Sequence, residues 1–515
     1  MGWIKFDLLG VETLATIEDC ISIILQTREG IKNPTFRQIK DWYVKNLDPN
    51  VLDLEDQRVY KNVYHDGNFL GIFQFTQPPV QHFVKEVKPT SITDISSITA
   101  IFRPGPLQGG VNKVFLSNKN DPNLQYEHPR IKQVLEETYN CLVFQEQAMA
   151  LANVVGNIPL EECDAVRRLI SKKPEKGSEM EKQVFALEGK FIAGAEENGI
   201  KKEIAKDLWD KMIMFSQYSF NASHSTSYGI LSYQCAWLLT YFEDCWISAF
   251  LNHEPEEKKE QAIGLAKSAG YEIVPADINT SGLSWMPNGK KLLQPLSSIK
   301  GLGDKALEQV FANRPFTSIE NFLFNENILY NKLNKKGIDV LCRSGALSSL
   351  KDERFVNDKH FWVSIVGLDK PKNEKALAQN IEAFKDEQDF SLIEKIQNIV
   401  ELTGLFPLDK IVKKETLDKL SQKNIPSISA LDKDGEGDGG VCWFVISGWE
   451  VKETKTKKKY AILSVIDNGG KITKIKCWST SGLENLANYR PYLCKVKQDT
   501  WGFSIRSLSE LRLLS

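Results

Sequence analysis

The side chains with chemical potential fall into a few tight groups. Asp7 lies inside the otherwise apolar, strand-like run Met1 to Gly10, a costly place for a carboxylate unless it binds something positive. Asp7 is therefore a candidate metal ligand. Lys5, two residues earlier, would point to the same side of a strand, and an ordinary surface ion pair would explain the same two residues. A single carboxylate cannot hold the two metal ions that phosphoryl and nucleotidyl transfer often use, so that chemistry would need further ligands.

Arg167, Arg168, Lys172 and Lys173 form a dense basic group. On a helix, positions 168 and 172 stack one turn apart with 167 beside them, so the group either receives an anion or makes a solvated helix face. Arg103 stands between the apolar run Ile98 to Phe102, read as a strand, and a turn stiffened by Pro104 and Pro106. That placement suits a guanidinium aimed into a cleft. Asn221, Ser223 and His224 occupy an expected helix start, where N–H groups favour anions and where Asn or Ser also caps the helix. Lys452, Lys455, Lys457, Lys458 and Lys459 crowd one turn near Trp443, Trp449 and Trp478. They offer charge and stacking surface to a single nucleic-acid strand, or else solvate a turn above core tryptophans.

The chain that must position these groups has 515 residues, 42% of them hydrophobic, enough for roughly three or four domains. Its net charge of −2 does not mark a nucleic-acid binder, so any affinity for phosphate must come from the local clusters. Nine cysteines are scattered without a C-x-x-C pair, which fits a reduced intracellular protein without structural zinc. There is no leader-like segment and no apolar run of about 18 residues, so the expected location is the cytoplasm. No repeat of fixed period appears.

Pattern divides the chain into five stretches. Residues 1–130 mix short apolar runs, such as Gly71 to Phe75, with helical stretches such as Val11 to Leu25, as an α+β domain would. Residues 131–295 show helical periodicity to about Glu254 and then a short helix and strand-like pieces (Glu272 to Val274, Leu292 to Leu296), and residues 296–350 place Gly301-Leu302-Gly303 between helices as a sharp turn. Residues 351–440 read as a charged, solvated, helical linker. Residues 441–515 alternate as the short strands of a small barrel would.

Several long segments resemble, in order, the signatures of the C-family replicative polymerase, the bacterial DNA polymerase III alpha subunit. They are WIKFDLLGVETLATIEDCISII, GIFQFTQPPVQHFVKEVKP, ITAIFRPGPLQGG, YNCLVFQEQAMALANVVGNIPLEECDAVRRLISKK, FNASHSTSYGILSYQCAWLLTYF and IKGLGDKALEQV. The resemblance implies a multidomain α+β protein. Residues 1–130 would be the C-terminal part of the palm with thumb-proximal elements, 131–295 mainly helical fingers, and 296–350 a helix-hairpin-helix DNA-binding module. A charged linker would follow at 351–440, and a C-terminal β-barrel of the oligonucleotide/oligosaccharide-binding (OB) type at 441–515.

It implies template-directed addition of deoxynucleotides (dNTP) to a primer 3′ end. Asp7 would ligate Mg²⁺ and Lys5 would face a phosphate. Arg103, Arg167, Arg168, Lys172, Lys173, Asn221, Ser223 and His224 would bind the nucleotide. Lys300, Gly301, Gly303 and Lys305 would approach a DNA phosphate, and Lys455, Lys457, Lys458 and Lys459 would hold template.

The family's other two catalytic aspartates form a D-x-D motif upstream of the Lys5 segment, and no counterpart occurs here. Asp53-Leu54-Glu55-Asp56 is the nearest imitation and is expected to be structural. The chain thus resembles the C-terminal half of a split polymerase whose two-metal site is completed by an N-terminal partner. A non-catalytic DNA-binding remnant of such a polymerase is the rival reading. Asp389 to Ile393 resembles, faintly, the peptide by which such polymerases bind a sliding clamp.

Overall fold

Among the described residues before Trp246, apolar side chains are carried mainly by helices. The computed structural model describes residues 10–170, 178–216, 220–255, 258–367, 369–431, 439–454, 456–467, 472–499 and 502–514. Lys5, Asp7, Lys172, Lys173 and Lys455 lie outside the described residues. The chain divides into two units, Met1–Trp246 and Ile247–Ser515.

The first unit corrects the strand reading of one apolar run and shows what another forms. The run ending at Phe102 is the helix Ile92–Ile101, capped by Ser91, whose Oγ accepts the Asp94 N–H at 3.2 Å. Asp94, Ile95, Ser96, Ser97, Ile98, Ala100 and Ile101 are all buried. A helix covered on nearly every side loses the 3.6-residue alternation that would have revealed it. The other run, Gly71 to Phe75, is a series of turns made by positive φ at Gly71 and Gln74. It inserts Phe75 against the rings of Tyr64 and Phe69. Among the described residues of 10–130 there is no strand.

The Ile92–Ile101 helix packs along Ala222–Tyr241, and Ser225 Oγ donates to Ser96 O at 2.7 Å across the seam. A buried carboxylate secures the helix's first turn: Asp94 accepts from Lys119 Nζ at 2.6 Å, Tyr139 Oη at 2.9 Å and Thr90 N at 2.8 Å. With its partners present the buried charge is tolerable; losing one would leave it uncompensated.

A second core joins Gln145–Val154, Leu160–Ile170, Glu179–Glu197 and Lys202–Ser216, centred on Leu151, Phe191, Trp209 and Met212. Two glycines permit its tightest crossing. A Cβ on Gly194 would lie 2.0 Å from Gly156 O, and one on Gly156 would lie 2.3 Å from Phe191.

In the second unit a small sheet follows the helix Lys259–Ser268. Strand β1 (Glu272–Val274) pairs parallel with β3 (Lys291–Leu293), and β2 (Met286–Asn288) pairs antiparallel with β3. Next comes a helical core holding Leu302, Leu307, Phe316, Phe322, Leu341 and Leu347, which also takes in Phe361, Leu377 and Leu402. The stretch after 350 is therefore not the solvated linker its composition indicated. Its helices Glu374–Ala383 and Leu392–Thr403 turn apolar residues into this core. High overall charge hid a narrow apolar stripe.

The remaining strands are β4 (Gly440–Glu453), β5 (Lys459–Ile466), β6 (Thr473–Cys477), β7 (Pro491–Asp499), β8 (Gly502–Ile505) and β9 (Arg512–Leu513). They are ordered β4-β5-β6-β8-β7-β9, and β4 pairs again with β7. Only β6–β8 is parallel. Cys442, Phe444 and Ile446 enter one core while Trp443 and Val445 enter another with Phe406, Val412 and Leu420. Cover on both faces explains the unbroken apolar run VCWFVI. Among the described residues, no helix is long and apolar enough to cross a membrane.

Candidate functional site

Arg103 precedes a proline, which drives its backbone into the extended region at φ −135° and ψ 157°. It follows a helix, not the strand read from sequence. From there its guanidinium carbon lies 3.4 Å from the centre of the Phe220 ring. Burial pulls the Arg103 pKa below its ordinary value, yet an arginine remains cationic at neutral pH. A half-buried cation stacked on an aromatic face is held in one orientation.

Phe220 is itself tied down. Its carbonyl accepts the Gln145 N–H at 2.9 Å, and it forms a bridge with Phe144. On the side-chain side, the Phe220 ring meets His224 at 5.2 Å, His224 meets Tyr228 at 4.3 Å, and Tyr228 meets Phe73 at 5.1 Å. Spacing of four residues along one helix face produces this aromatic ladder. His224, between Phe220 and Tyr228, is exposed.

The basic group connects to the side chain of the same Gln145. Arg167 Nη1 contacts Gln145 Oε1 at 3.4 Å, while its Nε and Nη2 donate to Asp164 Oδ1 at 3.0 and 2.8 Å. Arg168 pairs with the other Asp164 oxygen. Hydrogen bonds from Arg167 and then Arg168 hold the Asp164 carboxyl below its ordinary pKa. The anion that these arginines demand is thus supplied within the helix by Asp164, and an incoming phosphate would compete with it.

The helix start at Asn221 is likewise filled. Asn221 Oδ1 accepts from His224 N at 2.9 Å and Ser223 Oγ at 2.6 Å. Glu146 takes Asn221 Nδ2 at 2.7 Å and Ala222 N at 2.8 Å, one on each oxygen. Asn221 therefore caps the helix, the Ser223 hydroxyl steadies the capping oxygen, and Glu146 occupies the helix's positive end. Sequence reading missed Glu146, Asp164, Gln145 and Phe220 as members of this group. Phe220 and Glu146 do lie within the quoted motifs, but nothing local pairs residues 75 positions apart.

Asp53 and Asp56 are spent locally: Asp53 accepts the Glu55 N–H, and Asp56 caps Arg58 and pairs with its side chain. Among the described residues, no group of three or more His, Cys, Asp or Glu is arranged to hold a metal ion.

In the second unit Gly301 takes φ +89°, and Gly303 begins the helix Asp304–Asn313, with exposed Lys300 and Lys305 on either side. A single turn, Leu296–Ser298, precedes the glycines, not a full helix. Lys457, Lys458 and Lys459 are exposed, as are Trp449 at 41% and Trp478 at 52%, whose ring lies 5.6 Å from Tyr460. Trp443, only 3% exposed, belongs to the core. At 389–393, Ser391 caps the Leu392–Thr403 helix and Phe390 rests on Trp362, leaving Leu392 and Ile393 exposed.

Residues 27–199 match the model of the bacterial DNA polymerase III alpha subunit finger domain, and 270–356 match a helix-hairpin-helix motif. Arg103, Arg167 and Arg168 fall in the first match; Lys300, Gly301, Gly303 and Lys305 fall in the second. Similar proteins include DNA polymerase III subunit alpha of Aquifex aeolicus, 29% identical over 92% of this chain and 38% of that protein. That of Borreliella burgdorferi is 30% identical over 84% and 37%, and that of Helicobacter pylori 31% over 67% and 28%. The chain belongs to the bacterial DNA polymerase III alpha-subunit family. It spans less than two fifths of the length of these relatives.

Proposed function

We propose that this chain supplies the nucleotide-holding and DNA-guiding parts of a replicative polymerase that adds deoxynucleotides to a primer 3′ end. In this reading the arginine stacked on Phe220 and the Arg167–Arg168 pair receive the triphosphate of the incoming nucleotide. His224, exposed between Phe220 and Tyr228 in the aromatic ladder, borders the sugar and base. The observation that carries the reading is the linkage of Arg103, Phe220, Gln145 and Arg167 into one cationic surface. Neutralising the charge that develops on pyrophosphate is the task such clamps perform in phosphoryl transfer. Exchange of Asp164 for phosphate would prepare the arginines in advance.

Among the described residues no group of three or more His, Cys, Asp or Glu is placed to form a magnesium site. Asp7 would provide one ligand, with Lys5 beside it, and the remaining carboxylates would come from polypeptide outside these 515 residues, as in a split polymerase with an N-terminal partner chain. Mg²⁺ would there stabilise charge on the attacking and leaving oxygens.

We keep a palm portion within 1–130, fingers running on to 295 from the finger-domain match that begins at residue 27, a helix-hairpin-helix at 296–350 and an OB-fold at 441–515. What supports the OB-fold is the second pairing of β4 with β7, which returns the hydrogen-bond ladder to its first strand. Trp449, Trp478 and Lys457 to Lys459 would then grip single-stranded template, and Leu392 and Ile393 would anchor a sliding clamp.

The test combines this chain with the remaining polymerase polypeptide, primer-template, nucleotides and Mg²⁺. Extension should require both polypeptides and should be abolished by Asp7→Ala with DNA binding retained. Extension that survives Asp7→Ala would overturn the role given to that carboxylate.

A further inference from the structure

The second unit holds a cavity of about 650 Å³, within the roughly 300–1,000 Å³ typical of small-molecule sites. Tyr271, Ile273, Leu405 and Phe406 give it an apolar, partly aromatic wall, and Gln294 completes that wall. Gln294 is fully buried, and its Nε2 donates to Thr403 O at 2.9 Å. That bond fixes the orientation of the carboxamide, since the flipped amide would set its oxygen against a carbonyl. Gln294 Oε1 is consequently a buried acceptor, and it has no hydrogen-bond partner. Buried polar atoms in this condition are uncommon in folded proteins.

The same cavity has a charged rim. Lys410 is exposed there, and Lys267 is positioned by donation from its Nζ to Phe406 O at 3.1 Å. Glu272, the acid of this lining, pairs with Lys291 at 3.3 Å, so the rim favours an anion. An aromatic wall, one acceptor without a donor and two ammonium groups together complement a heterocycle with an N–H and a phosphate. We propose that this cavity binds a nucleoside monophosphate, its base against Tyr271 and Phe406 with an amino N–H donated to Gln294 Oε1, and its phosphate directed to Lys267 and Lys410. The site is separate from the arginines of the first unit and does not rest on the polymerase reading.

The test is calorimetric titration of the full chain with AMP, with adenosine and ribose 5-phosphate as the two halves of the ligand. AMP should bind saturably and more tightly than either half. Binding should weaken roughly ten-fold in Lys410→Glu and in Gln294→Leu, the loss of one good polar contact, and should be unchanged in Arg103→Ala. Should Gln294→Leu fail to fold, the exposed Lys410→Glu decides alone. Absence of saturable AMP binding, equal binding of ribose 5-phosphate, or loss confined to Arg103→Ala would overturn the proposal.

Discussion

The arginines at 167 and 168 and the lysines at 457 to 459 are both basic clusters, yet they are held in opposite ways. The arginines sit on a helix with Asp164 as an internal counter-ion and Gln145 as a tether. The lysines flank a turn in water, and among the described residues they make no ion pair. The first arrangement spends interactions on orientation, which suits a small ligand met in one pose. The second keeps charge mobile, which suits a backbone whose binding is driven by counterion release.

This contrast can be broken most forcefully at the scaffold. Trp209 is 1% exposed in the core beneath the arginine helix. Trp209→Ala should cost about 3–5 kcal/mol in denaturant unfolding of the first unit. A loss under about 1 kcal/mol would mean that the helices do not depend on this packing. Glu146→Ala should cost about 1–3 kcal/mol by leaving the amides at the Asn221 helix start unmatched, with Glu146→Gln milder because one carbonyl oxygen remains. Equal losses in the two variants would remove Glu146 from its capping role.

Acid sharpens the comparison further. Asp164 is exposed, so its protonation should change stability little. Asp339 in the second unit is half-buried. Burial pushes its carboxyl up, but hydrogen bonds from Arg343 and Trp362 outweigh this and hold it below its ordinary pKa. A depressed folded-state pKa gives stability that is present above the unfolded value and lost as pH falls through the folded one. Thermal melts should thus fall below about pH 4, and Asp339→Asn should flatten that fall. The smallest effect on stability belongs to the combined Lys457→Ala, Lys458→Ala and Lys459→Ala variant, within about 0.5 kcal/mol. Its binding to single-stranded DNA should nonetheless weaken, with the salt slope reduced by about 2.

The strands of the C-terminal stretch, though not their order, and the cap at Asn221 were legible, because alternation and capping residues are local signals. The Ile92–Ile101 helix was not, since burial on nearly all sides removes its period. Nor was the sorting of tryptophans. The pairing of β4 with β5 shifts register between Ile446 and Gly448, so Trp443 enters the core whereas Trp449 is exposed, which no count of alternating residues reveals. The partners Glu146 and Asp164 carry no spacing signature of function: one meets its helix from far along the chain, and the other looks like any helix-surface acid.

The central claim is that the Arg103 guanidinium stacked on Phe220 receives the incoming nucleotide. Steady-state primer extension by the reconstituted polymerase tests it, comparing wild type with Arg103→Ala and with Arg103→Lys. The account predicts a nucleotide KM raised roughly ten-fold in Arg103→Ala, as for one lost charge-assisted contact of about 1.5 kcal/mol, with primer-template affinity unchanged and partial rescue by lysine. An unaltered KM, or a loss of DNA affinity instead, would contradict it.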